Sequence, residues 1–336
     1  MSTKPYALEI RRLRTVFPGP TGPLSIVDDV TLGVRPGEML AVVGESGSGK
    51  SMTFLSALGL VSAPGRVESG QVLVGGRDLV KLSAAELQAI RGQSISMIFQ
   101  DPLSGLNPVF TVGQQITEVL RAHRRTGRAE ARREAIRLLE RVQIPDAHRR
   151  LDDYPHQFSG GMRQRVLTAM AIAHSPQVLI ADEPTTALDV TVQAQVLELL
   201  DTLRREAGMA IVLITHDMGI VARHADRVAV MYAGRVVEEG AVTDVFAQPR
   251  HPYTLSLLRS IPQLDAPVGA ELMAIRGQPP LPGTVRQGCP FEARCYLGAG
   301  RPACREGRPE LAPAAGPAHL SACHFAETLH VQEAIA

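Results

Sequence analysis

The amino-acid sequence predicts an α/β fold with a largely parallel sheet covered by helices. Two apolar runs of strand length, 178–181 and 210–214, enclose a helical stretch at 192–205, and strand–helix–strand alternation is typical of parallel sheets. A third apolar run, 39–43, ends in a glycine-rich loop, and a helical segment follows from Ser51 to Leu60. The loop therefore lies between a buried strand and a helix.

The composition changes after about residue 262, where prolines begin to interrupt regular structure. We therefore expect two parts, a main domain over residues 1–262 and a small irregular C-terminal extension over residues 263–336. All four cysteines of the chain lie in the extension. Their clustering predicts a ligand site or a pair of disulfides.

Charge and hydropathy exclude several classes of protein. The net charge of +1 over 336 residues gives no support to a nucleic-acid-binding surface. Residues 114–142 carry helical apolar spacing and many arginines, but interleaved glutamates indicate a solvated helical face. No apolar run approaches the roughly 20 residues of a membrane-spanning helix, and the first residues lack the apolar core of a secretory signal. We expect a cytosolic chain whose membrane role comes through a partner.

Residues 44–51, Gly-Glu-Ser-Gly-Ser-Gly-Lys-Ser, fit the phosphate-loop pattern G-x4-G-K-[ST]. Glycines let successive backbone N–H groups point at phosphate oxygens, and the following helix adds its positive N-terminal end. Lys50 supplies a cation for the β- and γ-phosphates, and the Ser51 hydroxyl is a ligand for Mg²⁺. A chance Gly/Ser-rich turn is disfavoured by the strand before it and the helix after it. The candidate phosphate-binding residues are Gly44, Glu45, Ser46, Gly47, Ser48, Gly49, Lys50 and Ser51.

Two adjacent carboxylates end the apolar run at 178–181. Asp182 is placed to hold Mg²⁺, directly or through water. Glu183 is placed to orient or polarise an attacking water. An Asp-Glu pair alone is weak evidence, but its position downstream of a phosphate loop favours a catalytic role.

Shortly before that run, residues 158–165 read Phe-Ser-Gly-Gly-Met-Arg-Gln-Arg. Here the chain resembles the ATP-binding subunits of ABC transporters, whose signature is L-S-G-G-Q. The resemblance implies an ABC-type P-loop ATPase domain, with a mixed sheet, helices and a helical signature subdomain. It also implies an ATP and Mg²⁺ contact from Gln100, a D-loop at Ala187-Leu188-Asp189, a γ-phosphate contact from His216 and an adenine-stacking role for Phe17.

The same resemblance implies a composite active site. In this family the phosphate loop of one subunit and the signature of another sandwich one ATP, so a second ABC ATPase subunit, identical or homologous, is needed. Phe158 and Met162 depart from the family signature, and Gln164 is the nearby candidate to replace its missing glutamine. The residues expected to face the partner's ATP are Ser159, Gly160, Gly161, Gln164 and Asp189.

Residues 154–165 and the segment His251-Pro252-Tyr253-Thr254 look like the branch that serves dipeptide, oligopeptide and nickel importers. That branch implies two transmembrane permease subunits, indirect cooperation with an extracytoplasmic solute-binding protein, and a peripheral position on the cytoplasmic face of the inner membrane. We expect peptide import, with nickel, glutathione or another small solute as alternatives. A soluble ABC ATPase acting on ribosomes or DNA is disfavoured by the single ATPase domain and by the short spacing between loop and signature.

The cysteines Cys289, Cys295, Cys304 and Cys323 are spaced C-x5-C-x8-C-x18-C. Disulfides are disfavoured in a reducing compartment, and four unligated thiols remain an alternative. Structural zinc commonly uses closer cysteine pairs, whereas four cysteines are the usual ligands of a 4Fe–4S cluster. The branch resemblance also favours iron–sulfur, with zinc as the second choice. Such a site would staple an extension too poor in apolar residues to fold alone.

Overall fold

The computed structural model describes residues 5–20, 22–101, 105–186, 188–261, 275–281, 283 and 287–329. The strands are β1 Leu8–Phe17, β2 Leu24–Val34, β3 Met39–Val43, β4 Arg66–Val74, β5 Arg77–Asp78, β6 Ile95–Ile98, β7 Val178–Asp182, β8 Ala210–Ile214, β9 Arg227–Tyr232, β10 Arg235–Ala241, β11 Ala312–Pro313 and β12 Leu320–Ser321. The helices are α1 Lys50–Ala57, α2 Ala84–Ile90, α3 Val112–His123, α4 Arg128–Arg141, α5 Ala147–Arg150, α6 Gly160–Ile172, α7 Val190–Ala207, α8 Met218–His224, α9 Val242–Ala247, α10 Pro252–Arg259 and α11 Pro302–Glu306.

The chain divides into two compact units. The first unit comprises Met1–Leu8, Val34–Glu38 and Leu73–Ile214, and the second comprises Glu9–Gly33, Met39–Val72 and Thr215–Ala336. The phosphate loop and the cysteines belong to the second unit. The signature and the Asp182–Glu183 pair belong to the first.

In the first unit, β6, β7 and β8 are parallel neighbours, with Ile98 paired to Ala181 and Asp182 paired to Ile214. Every residue of β7 is buried, as expected for a strand covered on both faces. Helices α3, α4 and α6 pack against one another. Helix α3 begins at a capping box of Thr111 and Gln114. These helices form the predicted helical signature subdomain.

In the second unit, β3 runs parallel to β9, and β10 lies antiparallel to β9. The extension contributes two strands to this sheet, because β12 pairs with β10 and β11 pairs with β12. A buried cluster beside these strands includes Val43, Tyr232, Tyr253 and Phe291. The extension is therefore joined to the ATPase part of the chain through both hydrogen bonds and a shared apolar core.

The structure confirms the buried strands at 39–43, 178–181 and 210–214. The helical spacing across 114–142 corresponds to two helices, α3 and α4, because Arg124 is extended and Gly127 starts a new helix. The expected boundary at 262/263 and the D-loop residue Ala187 lie outside the described residues. None of the described helices is long and apolar enough to cross a membrane.

Candidate functional site

The phosphate loop follows β3 directly and requires glycine at both ends. Gly44 has a φ of 149°, and a Cβ there would overlap the carbonyl oxygen of Met231. Gly49 has a φ of 96° and would bring a Cβ within 2.9 Å of the Ile26 carbonyl oxygen. Backbone therefore crowds both positions, and each φ lies where other residues are strained.

Lys50 lies across the loop with only 6% of its surface exposed. Its Nζ donates hydrogen bonds to the carbonyl oxygens of Gly44, at 2.8 Å, and Glu45, at 3.0 Å. Ser51 follows it in the first turn of α1. Among the described residues, the buried hydroxyl of Ser48 has no hydrogen-bond partner. The loop therefore combines the ammonium group of Lys50, the buried hydroxyl of Ser48 and the N-terminus of α1. These are groups that bind the oxygens of a polyphosphate.

Glu45 connects the loop to two residues far away in sequence. Its backbone N–H donates to the hydroxyl of Tyr253 at 2.7 Å. Its carboxylate accepts two hydrogen bonds from the Arg294 guanidinium, at 2.6 and 2.9 Å. Tyr253 was expected only as part of a branch segment, and the contact of either residue with the loop was not predicted. Tyr253 and Arg294 lie in separate motifs, so no local spacing links them to residue 45.

In the first unit the structure brings Gln100 and Glu183 together. The Gln100 Nε2 donates to the Glu183 carboxylate at 2.9 Å, and the Thr186 hydroxyl donates to the same oxygen at 2.9 Å. Glu183 has a φ of 45°, a left-handed conformation uncommon for a non-glycine residue and often associated with functional sites. Asp182 precedes it at the end of β7 and is 5% exposed. Thr186 was not singled out from the sequence.

The signature begins helix α6. Ser159 is its N-cap and accepts a hydrogen bond from the Met162 N–H at 3.3 Å, while Gly160 is exposed. A Cβ on Gly161 would overlap the side chain of Val192, so this glycine is needed for packing against the start of α7. Asp189 caps α7 by accepting from the Val192 N–H at 3.0 Å. The signature and the D-loop residue Asp189 thus meet at α7.

Three other predicted residues have distinct surroundings. Gln164 is 1% exposed, so its side chain lies in the interior of the first unit and is unavailable to a second chain without rearrangement. The ring of Phe17 lies against Gly65. His216 is exposed, and the next residue, Asp217, caps α8.

The four cysteines converge in the second unit. All four are described, each carries a free thiol, and they line one cavity. A Cβ on Gly298 would lie 2.9 Å from the Cys304 sulfur and 3.4 Å from the Cys295 sulfur. The Gly298 N–H donates to the Cys295 sulfur at 3.2 Å, and the Phe325 N–H donates to the Cys323 sulfur at 3.4 Å. The four thiols therefore form no disulfide, and the backbone of Gly298 packs closely against two of the sulfurs.

Burial raises the pKa of all four thiols, to about 11 for Cys289 and to about 12 for Cys323. Thiols in such surroundings stay protonated at neutral pH unless a metal stabilises the thiolate. Within the described ranges, no group of three or more His, Cys, Asp or Glu side chains is arranged to hold a metal ion. Neither zinc nor iron–sulfur is shown by this geometry.

The fold and the loop define a P-loop ATPase of the ATP-binding cassette class. A solved structure described as a post-hydrolysis dimer of the ATP-binding cassette MJ0796 with ADP and Pi matches with a TM-score of 0.63 at 27% identity, covering 70% of this chain and 98% of that one. The family model "ABC transporter" matches residues 27–186, and "Oligopeptide/dipeptide transporter, C-terminal region" matches residues 237–304.

Relatives narrow the class further. The oligopeptide transport ATP-binding protein OppD of Salmonella typhimurium is 50% identical over 288 residues, 86% of this chain and 85% of that protein. The dipeptide transport ATP-binding protein DppD of Bacillus subtilis is 50% identical over 289 residues, 86% of each chain. The chain therefore belongs to the family of oligopeptide and dipeptide ABC transporter ATP-binding proteins, for which ATP and Mg²⁺ are the expected ligands.

Proposed function

We propose that this chain is the ATP-binding and ATP-hydrolysing subunit that energises import of oligopeptides or dipeptides through a membrane ABC transporter. The 50% identity to OppD and DppD, which extends beyond the ATPase region, carries the proposal. Because those relatives are transport proteins, they favour import over a soluble ATPase acting on ribosomes or DNA. Nickel, glutathione or another small solute is the alternative cargo.

The phosphate loop binds the ATP phosphates in this proposal. Lys50, already held over the loop, contacts the β- and γ-phosphates. Ser51, Asp182 and Gln100 would hold Mg²⁺, and the ion would neutralise charge on the phosphates. Phe17 stacks on adenine. The orphaned Ser48 hydroxyl and the backbone of residues 44–49 complete the cradle.

Glu183 is the catalytic base in the proposed reaction. Its carboxylate, held by Gln100 and Thr186, orients the water that attacks the γ-phosphate and accepts its proton. His216 contacts the γ-phosphate and holds the reacting geometry. Catalysis consists mainly of positioning and charge stabilisation.

A second ABC ATPase subunit, identical or homologous, completes each site. The exposed N-terminus of α6, with Ser159 and Gly160, presents backbone N–H groups to the partner's ATP, and Asp189 lies beside it. Gln164, which was expected at the same contact, is 1% exposed in the single chain, so its side chain would have to move to reach the partner's ATP. Two permease subunits provide the membrane passage, an extracytoplasmic solute-binding protein supplies solute to them, and the chain docks at the cytoplasmic face of the inner membrane.

We also propose residues 1–262 as the nucleotide-binding domain and residues 263–336 as an extension holding a 4Fe–4S cluster. Cys289, Cys295, Cys304 and Cys323 would be its ligands, and the cluster would keep their thiolates ionised and staple the extension. Support comes from the cavity that all four cysteines line, from the N–H···S contacts and from the close approach of Gly298 to two of the sulfurs.

The ATPase assignment is tested by Glu183→Gln in the complex with its permeases. We expect ATP binding to persist and hydrolysis to fall by about 10²–10⁴-fold, the usual contribution of a general base. Glu198→Gln changes an exposed glutamate on α7 and should hydrolyse ATP normally. Wild-type turnover by Glu183→Gln would refute its role. Transport assays with di- and oligopeptides, nickel and glutathione then identify the cargo.

The cluster is tested on protein purified without oxygen. Brown protein with visible absorption and with iron and sulfide in equal amounts would support the 4Fe–4S proposal. Colourless protein with one zinc per chain would replace it with the zinc alternative.

A further inference from the structure

The phosphate-loop residue Glu45 is bound through all of its polar groups. Its N–H donates to Tyr253 at 2.7 Å. Its carbonyl oxygen accepts from the Lys50 Nζ at 3.0 Å and from the Ser48 N–H at 3.2 Å. Its carboxylate accepts the two guanidinium hydrogen bonds of Arg294. Glu45 therefore links Lys50 directly to the extension.

Arg294 is itself rigidly placed. Its side chain is 5% exposed, and its Nε donates to the Arg276 carbonyl oxygen at 2.8 Å. The guanidinium carbon lies 5.7 Å from the ring centre of Tyr232 and 5.9 Å from that of Phe291. The next residue is Cys295. Arg294 thus reaches the loop from the stretch between the first two cysteines, Cys289 and Cys295.

We propose that Arg294 is a positioning residue for ATP binding, through which the four-cysteine extension holds the phosphate loop in its binding geometry. By binding the Glu45 carboxylate, Arg294 fixes the position of the Glu45 carbonyl oxygen, which accepts a hydrogen bond from Lys50. It also neutralises a carboxylate inside a loop that receives a polyanion. This inference rests on the proposed function only in that the loop binds ATP.

The ion pair between Arg294 and Glu45 explains why loss of Arg294 should weaken ATP binding. An arginine bound to a carboxylate through two hydrogen bonds fixes both position and orientation. Removing one member of a largely buried pair leaves the other charge uncompensated. An unpaired Glu45 carboxylate would repel the phosphates and free the loop. We expect Arg294→Gln to weaken MgATP binding about tenfold.

The test is a titration of full-length chain with a fluorescent ATP analogue and Mg²⁺, beside thermal unfolding without nucleotide. Arg294→Gln should raise the dissociation constant and the KM for ATP about tenfold while kcat stays within about twofold. Arg294→Lys keeps the positive charge but loses the paired hydrogen bonds of the guanidinium. Its dissociation constant for ATP should lie between those of the wild type and Arg294→Gln. Arg308→Gln is the matched control, because Arg308 is also an arginine of the extension and binds, at 2.7 Å, the carboxylate of Asp28, which lies outside residues 44–51. It should bind ATP normally even if its unfolding midpoint falls.

Equal ATP affinity in wild type and in folded Arg294→Gln would overturn the inference, as would an equal loss in Arg308→Gln. Failure of the proposed function looks different. In that case the wild-type chain itself would not bind MgATP, and Lys50→Ala would change nothing.

Discussion

The phosphate loop and the four-cysteine extension lie in the same compact unit, yet their geometry arises in different ways. The loop is eight consecutive residues whose shape is set by glycine φ angles and a following helix. The cysteines are spread from Cys289 to Cys323 and meet only through contacts among distant residues. The loop can be disturbed by one local methyl group, whereas the extension depends on its packing against the rest of the unit.

Gly44→Ala tests the local side of this contrast and should have the largest effect on ATP binding. The added methyl group would overlap the Met231 carbonyl oxygen, so the loop must shift. We expect ATP affinity to fall by more than about 100-fold, or about 2.8 kcal/mol, in a nucleotide titration. Gly37→Ala is the control, because Gly37 also has a positive φ but no described atom within 4 Å of the new methyl. Normal ATP binding by Gly44→Ala would show that the loop tolerates the shift.

Phe291→Ala tests whether the extension depends on contacts between residues distant in sequence. The ring is buried 5.2 Å from Tyr232 and 5.4 Å from Tyr253, centre to centre. Its loss should lower the free energy of unfolding by about 3–5 kcal/mol, measured by urea denaturation. Phe110→Ala removes a ring that is 46% exposed and should cost far less. Equal losses in the two variants would mean that the extension does not depend on this core.

Gly298→Ala addresses the cysteine site alone. The new methyl group would lie 2.9 Å from the Cys304 sulfur, so it should displace the sulfurs from their common cavity. We expect bound metal, measured by elemental analysis, to fall by about half or more while the protein stays folded. Ala299→Ser alters the exposed neighbouring position and should retain the wild-type content. Full metal occupancy in Gly298→Ala would show that the close approach of Gly298 to the sulfurs is not needed for metal binding.

Thr186→Val should have the smallest effect. It deletes the hydrogen bond from the Thr186 hydroxyl to the Glu183 carboxylate, and a single exposed hydrogen bond is worth about 1 kcal/mol. Steady-state hydrolysis should fall about fivefold with the KM for ATP unchanged. Thr202→Val, which removes a hydroxyl bonded to the Glu198 carbonyl oxygen, should leave hydrolysis unchanged. A rise in KM instead would indicate that Thr186 acts on ATP binding.

The difference between local motifs and long-range contacts also explains which features could be predicted from the sequence. Residues 44–51, the Asp182–Glu183 pair and the signature at 159–161 are local patterns with known chemistry, and the buried strands beside the first two were predicted correctly. The packing role of Gly161 against Val192 and the burial of Gln164 depend on how α6 and α7 meet.

The contact between Arg294 and Glu45 joins residues 249 positions apart in the sequence, so no local spacing could predict it. Tyr253 lies in a segment that indicated the family branch, and Arg294 lies next to Cys295. Their chemistry became interpretable only when the fold placed them on the loop. The pairing of β12 with β10 was missed for the same reason, because two-residue strands carry no periodicity.

The most direct test of the coupling between loop and extension is a double-mutant cycle on MgATP affinity with Glu45→Gln, Arg294→Gln and the double variant. If the two residues act through one another, their effects are not additive. We predict that the double variant binds MgATP no more weakly than Arg294→Gln alone, since the pair is already broken. Losses that multiply in the double variant would contradict the account.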